Sequence, residues 1–198
     1  MIEAITTEHP TLIIVGGVHG AGKSTLCREL KEKLDWPYVT NQTVISDNPE
    51  LQTRQQIHRR VLENVRNHLE EKRSFIFEHV MSGHFIDKLL SMSATAGFQA
   101  HLIFIDLDSA KIALQRVNQR VADGGHHRSQ KEITTRMEES RTNFWQRYRS
   151  LADSWVLCDN SGQTRIELAR SNEEGGIRVN LQGKFNRFTS RSSSEGSS

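Results

Sequence analysis

The stretch Gly16-Gly-Val-His-Gly-Ala-Gly-Lys-Ser-Thr-Leu26 places four glycines within seven residues, then a lysine, two hydroxyls and an apolar residue. Few chain geometries accept that order. Gly17 to Ser24 fits G-x-x-x-x-G-K-[ST], the pattern of a loop whose backbone N–H groups wrap a chain of phosphates. The flanks are those the pattern requires. Thr11–Gly17 is a short, almost wholly apolar run that reads as a buried strand, and Leu26, Leu30 and Leu34 recur at helical spacing behind the loop. Glycine lets the backbone take conformations closed to other residues and come close to an anion. The start of a helix adds orphan N–H groups and the positive end of its dipole. Gly17, Val18, His19, Gly20, Ala21 and Gly22 are therefore expected to bind phosphate through their backbone. Lys23 reaches the outer phosphates, Ser24 offers its hydroxyl to Mg²⁺, and Thr25 adds a second hydroxyl. Cys27, in the first turns of that helix, is either a thiol of lowered pKa or a small buried side chain.

The rest of the chain alternates strand and helix signals. Trp36–Val39 reads as a second strand. Ile57, Val61, Leu62, Val65 and Leu69 make one helical stripe between Pro49 and Lys72,. Ser74–Val80 is strand-like, Phe85–Ala96 a helix stopped by Gly97, and Phe98–Leu107 the strongest strand,. A helix capped at Asp108-Ser109 runs to about Val121, a long helix covers about Lys131 to Leu151, and Asp153–Gly162 is a last buried strand with its turn. Such alternation predicts an α/β fold of the P-loop type, a mostly parallel sheet with helices on both faces. The expected organisation is a kinase-like domain over 1–165 with a lid at about 122–132, a C-terminal hairpin over 166–183, and a serine-rich, disordered tail over 184–198.

Composition narrows the function. A net charge of +2 over 198 residues gives no electrostatic case for a nucleic-acid or membrane partner. No apolar run is long enough to span a bilayer, and Met1–Pro10 lacks the apolar core of a secretory signal. Cys27 and Cys158 are too far apart for a metal pattern,, which favours a reducing, cytoplasmic setting. The histidines His19, His79, His84, His126 and His127 lack a carboxylate or cysteine at chelating spacing. Phe144, Trp145 and Tyr148 read as core of the long helix, and Lys184, Arg187 and Arg191 as charges of the tail.

A phosphate loop alone does not name a reaction. No guanine-reading N-K-x-D is present. Asp106, after an apolar strand, is either a metal-associated acid or, with Asp108, a helix cap. Arginines are better placed: Arg116 and Arg120 stand i, i+4 on one helix face, followed by Gly124-Gly125, Arg128, Arg136 and Arg141. A basic flap over a phosphate loop is what phosphoryl transfer needs, because charge clamping and exclusion of water supply most of its catalysis. Glu78, at the carboxyl end of a strand, faces the crevice where open α/β sheets bind ligands.

At these residues the chain resembles the zeta-toxin-like P-loop kinases. The resemblance rests on Gly17–Ser24, on Phe-Ile-Phe-Glu78, on Arg116-Val-Asn-Gln-Arg120-Val-Ala-Asp-Gly124-Gly125-His126, and on Asp159-Asn160-Ser161. It spans about Leu12 to Gly162. It implies a kinase that carries the γ-phosphoryl group of ATP, with Mg²⁺, to a sugar hydroxyl, UDP-N-acetylglucosamine being the favoured acceptor, and an antitoxin protein as partner. By the same resemblance Glu78 contacts the acceptor, Arg116, Arg120 and Arg128 clamp phosphate, and Asn160 lies near the adenine. Two departures stand out. Thr43 occupies the place where the family has an aspartate base, leaving Asp47 or Glu78 for that role, and His127-Arg128-Ser129 replaces the usual x-Val-Pro.

Overall fold

In the computed structural model, residues 9–122 and 129–193 are described, without the side chains of 120–122. Seven strands form one sheet in the order β2-β3-β1-β4-β5-β6-β7. The first five are parallel: β1 (Thr11–Gly16), β2 (Tyr38–Val39), β3 (Phe75–His79), β4 (Gln99–Asp106) and β5 (Ser154–Asp159). Two antiparallel strands, β6 (Ile166–Ser171) and β7 (Ile177–Val179), extend the sheet beyond β5. The segment 166–183 thus holds an antiparallel pair that continues the main sheet instead of standing apart from it.

β1 is central because both of its faces are apolar. Alternate residues point to opposite sides, and none of its six residues is exposed. Leu12 and Ile14, with Phe75, Phe77, Leu102 and Phe104, pack under α3 (Arg54–Glu70), α4 (Phe85–Thr95) and α7 (Gln182–Ser192). Ile13 and Val15, with Ile76, Ile103 and Ile105, pack under α1 (Lys23–Leu34), α5 (Ala110–Ala122) and the first half of α6 (Gln130–Gln146). The second half of α6 crosses to the other layer, where Phe144 stacks on Phe104 at 4.6 Å between ring centroids.

Three expectations change. The stripe from Pro49 contains a separate short helix before it, α2 (Asn41–Asp47), and α3 begins only after Thr53, whose side chain accepts from the Gln56 amide in a capping box,. The long helix stops at Gln146, where Arg147 leaves helical geometry, and a 3₁₀ turn at Tyr148–Ser150 follows. The tail is not disordered over its described part. Residues 182–192 form α7, and Phe185 and Phe188 are buried against Trp145. Burial of two aromatic rings overrides the weak helix propensity of the serines around them. Most of the expected lid, residues 123–128, lies outside the described residues, while Ser129 caps α6 and Gln130 onward is helical.

Candidate active site

The loop between β1 and α1 has the backbone its glycines permit. Gly17, Gly20 and Gly22 take φ of 134°, 79° and 96°, all in the region that L side chains rarely adopt. A Cβ on Gly17 would meet the Ile105 carbonyl oxygen at 2.2 Å, and one on Gly22 would meet Asn160 Nδ2 at 2.5 Å. Val18 and Ala21 bury their side chains in the core, and the Ala21 amide donates to the Val18 carbonyl at 3.2 Å, closing the turn of the loop. Lys23 is buried and turned back on its own loop, its Nζ donating to the Val18 carbonyl at 3.0 Å.

A carboxylate closes this corner. Glu78, near the end of β3, accepts from Ser24 Oγ at 3.0 Å on Oε1 and from Tyr38 OH on Oε2. Lys23 Nζ stands 3.8 Å from Oε1. Three elements meet here: α1 supplies Lys23 and Ser24, β2 supplies Tyr38, and β3 supplies Glu78. Parallel pairing of β2 with β3 sets Tyr38 opposite Ile76 and Val39 opposite Phe77, so the carboxyl ends of both strands open on the same side. Burial, and then the charge of Glu78, pushes the Tyr38 phenol far above its usual range, so it remains a donor. Burial, with Glu78 next, also pushes the Cys27 thiol up. Cys27 is a fully buried core residue, not an activated thiol. Tyr38 is a site residue that sequence reasoning missed. Nothing in Trp36–Val39 singles it out, and only strand pairing brings it to Glu78.

The corner opens into a cleft of about 1610 Å³, lined by His19, Lys23, Ser24, Arg28, Tyr38, Glu78 and His79 on the sheet side, by Arg54 and His58 of α3, and by Lys131, Glu132, Arg136 and Glu139 of α6. Arg136 pairs with Glu132 at 3.2 Å. His79 accepts the Met81 amide on Nδ1 at 2.9 Å, and burial, aided by Lys23, lowers its pKa to about 4. Met81, at φ 64°, puts its sulfur 2.3 Å from where a Cβ on Gly16 would stand, so the turn after β3 locks onto the end of β1.

The remaining candidates divide. Arg116 lies beside the loop, its guanidinium donating to the Gly20 and Gly162 carbonyls, each at 3.4 Å. Asn160 Nδ2 donates to the Ala21 carbonyl at 2.8 Å, so its side chain braces the phosphate loop itself. Thr25 is exposed and Asp47 is exposed at the end of α2, and neither lines the cleft. Thr43 spends its hydroxyl on a capping box, exchanging 3.0 Å hydrogen bonds with the Thr40 backbone. Arg120 belongs to α5 by its backbone, its side chain outside the described residues, where Arg128, His126 and His127 also lie. Asp106 and Arg141 do not line the cleft. They form a buried two-point ion pair, Nε to Oδ1 at 2.8 Å and Nη2 to Oδ2 at 3.2 Å, so both oxygens of Asp106 are engaged by the arginine. Among the described residues no helix is long and apolar enough to cross a membrane.

Comparison with known proteins bears on the fold. Among curated proteins no sequence matches the chain. Among solved structures, AvrRxo1-ORF1:-ORF2 with ATP superposes with a TM-score of 0.70 at 17% identity, covering 96% of this chain and 66% of that chain. The PezAT chromosomal toxin–antitoxin system of Streptococcus pneumoniae superposes at 0.61 and 13% identity, covering 96% and 88%. The Pnkp1/Rnl/Hen1 RNA repair complex gives 0.59 at 19%, covering 72% and 48%. These likenesses establish a shared fold, consistent with the zeta-toxin-like resemblance, and the chain spans 66% of the length of the AvrRxo1 chain it matches. The AAA_18 family, an AAA domain, matches residues 13–146, from the strand that feeds the phosphate loop to the last turn of α6, and the chain belongs to that family.

Proposed function

We propose that the chain is an ATP-dependent kinase that moves the γ-phosphoryl group to an alcohol of a small molecule. The observation that supports it is the meeting of Lys23, Ser24 and Glu78, an ammonium, a hydroxyl and a carboxylate, with Lys23 and Ser24 both within 3.8 Å of Glu78 Oε1, beside a cleft with room for a second molecule. The cradle suits a triphosphate, since its three positive-φ glycines leave the backbone of a helix N-terminus open to an anion. The oxygens suit Mg²⁺, which takes few protein ligands and completes its shell with phosphates and water. Ser24 would hold it, with Glu78 alongside. When bound, Mg²⁺ neutralises charge that develops on the phosphates.

The chain's own groups do the rest. Lys23 and the loop amides hold the phosphates. Arg116 adds charge at the loop's outer edge, and Arg136 does so from the facing wall. Arg120 and Arg128 belong to the same clamp by resemblance. Glu78 Oε1 orients the acceptor hydroxyl and takes its proton as the oxygen bonds to phosphorus and ADP leaves. The acceptor that the zeta-toxin-like resemblance supports is a UDP-amino-sugar. A protein partner of antitoxin type and a cytoplasmic place of action belong to the same proposal.

Incubating the chain with ATP, Mg²⁺ and extract metabolites, followed by mass spectrometry, is expected to yield a species heavier by one phosphate, with UDP-N-acetylglucosamine as the first single acceptor to try. A calorimetric titration without heat at millimolar ATP·Mg²⁺ would sink the reading. One observation favours a second reading. Thr43 serves the capping box of Thr40 where the zeta-toxin-like kinases have an aspartate, which suits a protein that binds ATP but transfers nothing. Tight ATP binding with no phosphorylated product would select it.

A further inference from the structure

The helix α7 is far from the phosphate loop in sequence but joined to it by hydrogen bonds on either side of one short turn, Asp159–Ser161. Lys184 Nζ donates to Asp159 Oδ2 and stands 3.8 Å from Asp108 Oδ2. One helical stretch later, Arg191 Nη1 donates to the Asp108 carbonyl at 3.0 Å. Both cations thus close on the turns that follow β4 and β5. Asp159 Oδ1 accepts from the Ser161 amide at 2.9 Å and from the Ser161 hydroxyl. That hydroxyl accepts in turn from the Asp108 amide at 2.7 Å. The turn Asp159-Asn160-Ser161 is therefore tied at both ends, and Asn160 sits at its middle. Its amide donates to the Asp106 carbonyl at 3.0 Å, and its side chain donates to the Ala21 carbonyl at 2.8 Å.

That last contact has a stereochemical consequence. The Ala21–Gly22 peptide is planar and trans,, so a carbonyl held by Asn160 sends the Gly22 N–H the opposite way, off the brace. Without the brace, Gly22 could rotate this peptide at little cost and turn the carbonyl oxygen toward an anion. Asp159 is buried. Burial raises its pKa, and the hydrogen bonds from Lys184 and Ser161 more than offset this, leaving the carboxyl below its usual range. Loss of Lys184 leaves a buried carboxylate short of its cation, a condition relieved by the turn moving outward.

We propose that Lys184 is a positioning residue of the nucleotide site: from α7 it fixes the Asp159–Ser161 turn, which holds the Ala21 carbonyl through Asn160 and keeps the phosphate loop in its anion-binding form. The inference rests on the nucleotide reading given above. It assigns no contact between Lys184 and the nucleotide.

The test is a double-mutant cycle of ATP·Mg²⁺ affinity by calorimetry, with melting temperatures on the same samples. Lys184→Met is expected to weaken ATP about tenfold, near the worth of one charged hydrogen bond. Asn160→Ala should weaken it at least as much. The double variant should bind no worse than Asn160→Ala alone, since Lys184 acts through Asn160. Lys184→Arg should restore most of the loss. Wild-type affinity in Lys184→Met, or losses that simply add, would overturn the proposal. A second readout does not depend on ATP: Lys184→Met should speed amide exchange of residues 18–24 in the ligand-free chain, and unchanged exchange there also overturns it. A wild-type chain that takes up no ATP, yet shows this exchange difference, would refute the kinase reading and leave the strut standing.

Discussion

At the scale of single residues, Glu78 carries the most weight. It is one carboxylate bound by a hydroxyl, a phenol and an ammonium. Glu78→Gln keeps the shape and removes the base, and kcat should fall about 10²-fold or more with little change in ATP affinity. A steady-state assay with a separate binding titration checks this, and equal turnover would exclude Glu78 as the base. Tyr38→Phe removes the hydrogen bond to Oε2 and frees the carboxylate to swing. It should lower kcat more than it raises the KM for ATP. His79 makes a prediction about pH. Its folded pKa, lowered to about 4 by burial and then by Lys23, lies below the ordinary 6.5. The unfolded chain therefore binds the proton first, and stability falls as pH drops from 6.5 toward 4. The contribution should approach about 2–3 kcal/mol at the acid end. Chemical denaturation at pH 7 and pH 4.5 would show it, and His79→Gln should flatten the difference.

At the scale of elements, the sequence carries local patterns well and assemblies poorly. The phosphate loop, its strand and its helix are legible because glycine positions and apolar spacing encode them within twenty residues. β3, β4 and β5 are legible as apolar runs. α2 is not, because Asn41, Thr43, Ser46 and Asp47 are weak helix formers and the turn is held by its capping box and by buried Val44. α7 fails in the same way, its serines and threonine masking two phenylalanines that only the folded layer can bury. Half of the site shares this limit, since Tyr38, Glu78 and Ser24 come from three elements and meet only through strand order. Phe188, which packs against Phe104, Phe144 and Trp145, tests whether α7 belongs to the core. Phe188→Ala should cost about 3–5 kcal/mol, read from urea midpoints. A loss under about 1 kcal/mol would mean that the helix is only a loose appendage.

At the scale of the whole molecule, the two layers are joined at the carboxyl ends of the strands, where α6 crosses from one to the other. Arg141 is the fastening, with Asp106 and the Leu107 carbonyl both held by its guanidinium. Arg141→Met should cost about 3–5 kcal/mol by leaving Asp106 buried and alone, and Asp106→Asn added to it should recover part. If Arg141→Met instead abolished transfer at unchanged stability, the arginine would belong to the chemistry. The order of the sheet also bears on how the chain is built. β1 ends at Gly16, yet its two neighbours begin at Phe75 and Gln99, so neither flank can form by a local hairpin. Closing such long loops is slow, and until β4 has emerged from the ribosome an apolar strand with open edges waits in solution. The same strand that presents the phosphate loop is thus a hazard during synthesis, a point at which aggregation competes with folding.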